Sequence, residues 1–453
     1  MSLINIISAI GDNSKVYPLI VRECGIEAPA KLIQTWNQNE KTSRPMAKHA
    51  VRERGIEEYA TSAVWLGGVP LVEMVANKII RKKIGLNGDV NSKLFQKNKS
   101  NQFVDALQNV DINIEKFKTK APEAVADLVK IKNGNEKTFK KLSNNKYVTA
   151  IALSIGLMGF VIPKANFALS NYLIKRDPDL QQPNKNKLVP LKVDTLEISK
   201  SNVAKNNEDI NTKISKKFNQ GTPSFKGLGE ALATMSQTGK MAVTDAGLGV
   251  GRMATSRGRN EKIENGFRVF GMMFLNFVTP KYIERGLDAV SKKMFGINTA
   301  LDPKIMADKR FLAKVRSGKL NLPMKETEVL DFIDNNPNSL LNKYAKQNKI
   351  VKFLPNKVRD PREYVDTKEL FKLSESMKIF SEDFKLSGGK NLKKYANKAI
   401  KAKSFNVLAN IAISCTLLAV GMPQAQYLLR RMISDSDVEP GLLSAQAGVN
   451  KEK

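Results

Sequence analysis

Four stretches of the chain have apolar runs at their centres, and each carries one proline near its middle. They run over about 56–80, 147–174, 263–290 and 404–429, around Pro70, Pro163, Pro280 and Pro423. Such segments have two outlets: the interior of a large helical fold, or a membrane, whose hydrocarbon takes a helix of ~20 apolar residues to span. Ser404–Leu429 offers 26 residues without a charge, and Tyr147–Ile174 offers 28 with the single charge of Lys164. Both meet the spanning requirement, with Lys164 placed to snorkel part of the way. The uncharged cores of the first and third stretches are shorter, 14 residues over Tyr59–Val72 and 12 over Val269–Pro280. Those lengths suit interfacial or buried core helices.

A proline inside a helix removes one N–H and frees a carbonyl. Pro70, Pro163, Pro280 and Pro423 are therefore expected membrane kinks, tolerated where a neighbour supplies the missing hydrogen bond, or apices of re-entrant hairpins. Lys or Arg flanks every stretch on both sides, so loop charge does not choose an orientation. Basic flanks at both ends suit a segment that dips into the bilayer and returns to the same face. Beyond Arg431 the chain meets Asp435, Asp437 and Glu439, which makes that end of the fourth stretch the one best suited to lie outside.

The four stretches pair by pattern. Pro163-Lys164-Ala165-Asn166-Phe167-Ala168-Leu169 aligns with Pro423-Gln424-Ala425-Gln426-Tyr427-Leu428-Leu429 without a gap. Arg81-Lys82-Lys83-Ile84-Gly85-Leu86-Asn87 resembles Ser291-Lys292-Lys293-Met294-Phe295-Gly296-Ile297-Asn298 with a one-residue slip. The order is type one, type two, type one, type two, which reads as an internal duplication. Strand signals are scarce. The expected fold is mainly α: a duplicated two-half helical membrane-associated protein with Pro-centred apolar helices. Residues 1–176 form the N-terminal half with apolar helices 56–80 and 147–174, and 177–225 a polar linker. The C-terminal half, 226–453, carries apolar helices 263–290 and 404–429.

Polar segments separate the apolar ones. Phe103, Leu107, Val110, Val125, Leu128 and Val129 recur at helical spacing within 94–145. A short helix over Lys325–Ile333 should stop before Asn336-Pro337, and Asp366 or Thr367 should cap a helix that ends at Gly388-Gly389.

With 74 Lys+Arg against 44 Asp+Glu the chain carries +30, which favours polyanionic surroundings. Near an anionic leaflet each cation gains about 1 kcal/mol. The candidates for contact with anionic lipid flank the apolar stretches: Arg44, Lys48, Arg52, Arg54, Lys175, Arg176, Arg257, Arg259, Arg430 and Arg431. One His and two Cys exclude a Cys/His zinc cluster and a disulfide scaffold. His49, among basic residues, reads as a surface side chain. Gly247-Leu248-Gly249-Val250-Gly251 lacks the spacing of a dinucleotide fingerprint and reads as a flexible loop or a small-residue packing face. Glu73 and Glu284 follow their prolines closely and read as interfacial acids paired with Lys or Arg. Asn166 and Gln426, each three residues after a proline, can hydrogen-bond across helices.

No catalytic, cofactor or metal residue is expected, and no enzyme activity. An aromatic share of 7%, much of it inside the apolar stretches, does not favour nucleic acid as partner. The expected role is structural or interactive: a scaffold, an anchor or a membrane-shaping element. It would sit in the cytoplasmic membrane with most of the chain on the cytoplasmic side and anionic headgroups as its partner. The alternatives are a small-solute transporter or channel component built as a homo-oligomer, and a soluble polyanion-binding helical protein.

Overall fold

The computed structural model describes residues 20–181 and 231–434, except 22, 42, 98, 99, 104, 233, 234 and 236, together with 442. Most of the expected linker, and Asp435, Asp437 and Glu439, lie outside the described residues. Among the described residues there is no strand, only two isolated bridges, Lys97 with Phe103 and Phe353 with Arg359.

The proline-bearing stretches form long helices that do not reverse. Helix α1 is Ala28–Glu40, and α2 is Arg44–Ile84, which widens to a π turn at Val64–Gly68. Helix α3 is Val110–Phe117 and α4 is Pro122–Lys130. Helix α5 begins as Glu136–Gly156, passes a π turn at Leu157–Val161 and continues as Ile162–Arg176. Helix α6 is Gln237–Thr255, α7 is Arg259–Phe277 and α8 is Thr279–Phe295. Helices α9 (Lys309–Arg316), α10 (Val329–Asn335), α11 (Leu340–Gln347) and α12 (Thr367–Leu386) follow. Helix α13 is Leu392–Ser434, with a π turn at Leu417–Gly421.

Each π turn stands directly before an X-Pro pair: Val69-Pro70, Ile162-Pro163 and Met422-Pro423. The extra residue relieves the clash between the proline ring and the carbonyl four residues back, so the helix goes on. The dihedrals remain helical through each turn. The re-entrant expectation is thereby corrected for these three stretches: the proline lies within one continuous helix, not at the tip of a hairpin. Pro280 differs. There the helix breaks at Val278 (φ −101°), and α8 restarts with Pro280 in its first turn, where a missing N–H costs nothing.

Helices α2 and α5 lie antiparallel, the part of α2 before its kink against the part of α5 after it, and the reverse. Helices α7 and α8 pack in the same way on α13. Helix α1 folds back on α2, and α6 on α7. Helix α6 also lies against α5 and its π turn, while α1 reaches the π turn of α13.

Helices α2 and α8 end on left-handed glycines, Gly85 (φ 74°) and Gly296 (φ 63°). Each leads into a polar insert, 86–135 and 297–391, and the two inserts fold together into one helical domain. Asn113 donates to the Pro361 carbonyl at 2.9 Å, and the Val365 N–H donates to Gln108 at 3.0 Å. Arg362 bridges Asp127 and Asp360 at 3.0 and 2.9 Å. The core holds Phe311, Tyr344, Phe380 and Tyr395 in edge-on and tilted ring contacts, with Met377 buried among them. As expected, α10 stops before Asn336-Pro337, and the Asp366 side chain caps α12 by accepting from the Glu369 N–H at 3.0 Å. The helical expectation for Phe103 and Leu107 fails. Helix α3 starts only where Asn109 accepts from the N–H groups of Asp111 and Ile112, and Phe103 sits in a bridge before it.

Candidate membrane interface

All four connections to the polar domain, after Ile84 and Phe295 and before Glu136 and Leu392, leave the bundle at one end. The opposite end is formed by the start of α2, the end of α5, the junction of α6 and α7, and the end of α13. The middle is apolar on its outside. Leu71, Met74 and Ile79 of α2 are 56–65% exposed, Val161 of α5 is 55% exposed, and Phe274 of α7 is 60% exposed. Phe405 and Leu408 of α13 are 66% and 53% exposed. In the polar domain the large exposed hydrophobics among the described residues of 297–391 are Met324 and Leu386. An apolar patch on this scale is foreign to the surface of a soluble monomer.

Three helices, α2, α13 and the one containing α5, are long and apolar enough to cross a membrane. The first stretch thus joins the second and fourth, because its helix runs on past Glu73, where a count of uncharged residues stops. The third does not reach that length and composition. At 1.5 Å per residue, Glu58 to Glu73 spans about 22 Å and Lys146 to Lys164 about 27 Å, near the ~30 Å of hydrocarbon.

The inside of the bundle is polar where the outside is not. Arg430 of α13 is fully buried, its Nε 3.1–3.2 Å from both Glu264 oxygens on α7, and Gln426 donates to the same carboxylate at 2.5 Å. Arg257 bridges Glu53 at 2.6 Å and Glu261 at 2.8 Å. Glu57 takes Arg252 and Arg268, each at 2.9 Å, and Glu58 takes Arg54 at 3.0 Å and Lys31 at 3.2 Å. This layer joins α1, α2, α6, α7 and α13. Toward the polar domain, Lys146 and Lys240 lie over the Tyr147 ring at 4.4 and 3.7 Å, and Lys146 donates to Asn77 at 3.0 Å.

The expected lipid-contact cations divide. Arg44, Lys48, Lys175, Arg176, Arg259 and Arg431 are exposed, all at the end remote from the polar domain. Arg52 is half-buried. Arg54, Arg257 and Arg430 face carboxylates inside the bundle, which corrects their assignment to the surface; their acids come from other helices or from one turn away. His49 is corrected as well. It is 5% exposed, on the inner face of α2, with Nε2 2.7 Å from Asp177. Burial pushes the Asp177 carboxyl up, but the His49 ring and the Asp179 N–H outweigh that and hold it below its ordinary value.

Two proline-freed carbonyls face side chains of another helix. Pro423 frees the Ala419 carbonyl, and the Gln34 amide of α1 donates to it. Pro163 frees the Gly159 carbonyl, and the Thr255 hydroxyl of α6 lies 3.4 Å away, sharing its one proton with Gly251 at 3.0 Å. Here the glycine stripe finds its place as a packing face. A Cβ on Gly251 would lie 2.7 Å from the Gly159 Cα, one on Gly247 2.3 Å from Ile155, and one on Gly249 2.9 Å from Val269. Small residues of this kind let helix backbones approach closely. Asn166 donates to the Glu53 carbonyl at 2.8 Å, the cross-helix bond its position suggested. Glu284 pairs with Lys403 at 3.4 Å. Among the described residues no group of three His, Cys, Asp or Glu side chains is arranged to hold a metal.

The acids Glu53, Glu57, Glu58, Glu261 and Glu264 were not singled out from the sequence. Their signal is weak: Glu57-Glu58 interrupts the approach to the first apolar stretch, and each Glu lies within a few residues of an Arg. Comparison with protein-family models, curated proteins and solved structures yields no match for this chain.

Proposed function

We propose that this is an integral membrane protein of structural or interactive role, a scaffold or anchor whose long kinked helices cross the bilayer and hold a basic helical domain against one face. The observation that carries the reading is the inversion of polarity in the bundle. Its large apolar side chains point outward along the long helices, and its charged side chains point inward into ion pairs. Lipid satisfies that outer surface and water does not.

The proposal includes the internal duplication. In both halves a short helix precedes a type-one stretch that ends on a left-handed glycine, with a type-two partner lying antiparallel. Asn166 and Gln426, each three residues after proline, bond to Glu53 and Glu264 on the type-one helix of their own half. Helices α1 and α6, which precede the type-one stretches, each reach the type-two π turn of the other half, through Gln34 at Ala419 and Gly251 at Gly159. These correspondences support two copies of one unit around an approximate two-fold axis.

The exposed cations Arg44, Lys48, Arg176 and Arg259 would meet anionic headgroups at the end remote from the polar domain. The polar domain would lie on the cytoplasmic side of the cytoplasmic membrane. The test is a cysteine-accessibility map on a Cys24→Ser/Cys415→Ser background, with single cysteines at Arg176 and Lys319. Crossing predicts opposite labelling by an impermeant reagent and retention in the membrane pellet after carbonate extraction. Labelling of both from one side, or release into the supernatant, overturns the reading.

A transporter reading draws on one feature, a cavity of about 80 Å³ lined by Glu58, Thr61, Asp245, Arg252, Arg268 and Asn276. It holds a few waters at most. Solute uptake into proteoliposomes that disappears in Asp245→Asn would favour it.

A further inference from the structure

The polar domain carries an open cleft of about 990 Å³, at the upper end of the size range of ligand sites. Its walls come from α9, the loop before α11, α11 itself and the bridge turn near Phe353. Six cations line it: Arg310, Lys314, Lys319, Lys343, Lys346 and Lys357, and no carboxylate shares the wall. Asp308, just outside, pairs with Lys343. Arg310, Lys314, Lys319 and Lys346 are exposed, and their side chains make no ion pair among the described residues. The chain is basic throughout, but other cations of this domain pair with acids, as Lys352 does with Glu363 and Lys116 with Asp331. Like charges gathered in one concavity raise its potential, and a multivalent anion relieves their repulsion. The amides of Asn335 and Asn338 and the start of α11 at Ser339 add hydrogen-bond donors and a positive helix end.

We propose that this cleft binds a compact polyphosphate, a ligand carrying two or more phosphoryl groups. Lysines dominate the set and act as point charges on phosphate, where a carboxylate ligand would draw bidentate arginines. Phe332 and Phe353 pack against the domain core, so the cleft lacks the open aromatic platforms that a single strand of nucleic acid stacks on. A free polyphosphate and a polyphosphorylated lipid headgroup offer the same chemistry. The site does not depend on the membrane reading, which stands or falls by the labelling experiment.

The test uses the full chain in detergent micelles, titrated with inorganic tripolyphosphate in a calorimeter at about 0.15 M salt. A second arm uses vesicles with and without a phosphoinositide. Lys314→Glu/Lys346→Glu reverses two exposed charges on α9 and α11 without touching the core, and circular dichroism checks that the fold is kept. The expected result is saturable binding by the natural chain, weakened at least about tenfold in the variant. Tripolyphosphate binding assigns a soluble ligand; binding confined to phosphoinositide vesicles, with the same sensitivity to the variant, assigns the headgroup. The proposal is overturned if neither probe binds, if the variant binds equally well, or if a single-stranded oligonucleotide displaces tripolyphosphate with affinity rising with its length.

Discussion

Replacing Arg430 with Met should be among the most damaging single changes in the bundle. Arg430 is fully buried, and its partner Glu264 is 4% exposed. The guanidinium contacts both carboxylate oxygens and lies 5.1 Å from the Tyr427 ring centre. Methionine keeps much of the volume and removes the charge. Glu264 then loses its counter-charge in a buried site, with the Gln426 amide as its remaining close donor in that cluster. Breaking a buried pair from one side costs about 3–5 kcal/mol, or roughly two to three and a half decades in the folded-to-unfolded ratio. Glu264→Leu/Arg430→Met removes both charges. It should recover most of the loss, falling short of the natural chain by about 1–3 kcal/mol because Gln426 loses its acceptor. The assay is unfolding in mixed micelles titrated with sodium dodecyl sulfate, followed by tryptophan fluorescence. The same variants are floated with anionic vesicles. If Arg430→Met leaves the unfolding midpoint unchanged and weakens flotation, the side chain serves headgroups and the buried pair is wrong. If the double variant is no more stable than the single one, the loss arises from packing and not from an orphaned charge.

Gly251→Leu places a Cβ 2.7 Å from backbone and must push α6 off α5; destabilisation of about 1–3 kcal/mol or more is expected in the same titration, and an unchanged midpoint would refute the close approach. Gln34→Leu strands the carbonyl freed by Pro423 and should cost about 1–3 kcal/mol, whereas on a Pro423→Ala background, where residue 423 regains its N–H, the penalty should largely vanish. Additive effects of those two changes would break the link between them. At Asp308, burial raises the carboxyl, but Lys343, the Arg310 N–H and the Tyr344 hydroxyl together hold it below its ordinary value. The stability it contributes is present above the unfolded-state carboxyl value of about 3.9 and is lost as pH falls through the lower folded value. Hydrogen exchange in α9 and α11 should accelerate over that acidic window in the natural chain and not in Asp308→Asn.

What could be read from the sequence is what depends on neighbours along the chain. The stop of α10 follows from Asn336-Pro337, and the start of α12 from the Asp366 cap. For the three glycines the sequence leaves a flexible loop and a small-residue packing face both open, because their partners Ile155, Gly159 and Val269 lie far along the chain. The ten flanking cations look alike in sequence because each is a basic residue beside an apolar stretch. What separates Arg54, Arg257 and Arg430 from Arg44 or Arg259 is a carboxylate in reach: for Arg54 and one partner of Arg257 it lies one turn along the helix, for the others it comes from a distant segment. Arg430 meets Glu264 across 166 positions and Arg257 meets Glu53 across 204. His49 reads as a surface side chain for the same reason, since Asp177 lies 128 residues away.

The same comparison bears on why the charges lie inside. In water, an ion pair such as Arg430 with Glu264 gives up strong hydration on burial and often does no better than a well-packed apolar pair. At the edge of a bundle whose middle faces hydrocarbon the alternative is different, because an Arg turned outward there meets the rim of the lipid. Pointing inward toward a carboxylate is then the least costly arrangement open to it. Arg252, Arg257, Arg268 and Arg430 all make that choice, while Phe274, Leu408 and Met74 turn outward. A sequence of these residues placed in water would gain by exchanging the two sets. That it does not is a physical reason to place the bundle in a bilayer, independent of the length of any one apolar stretch.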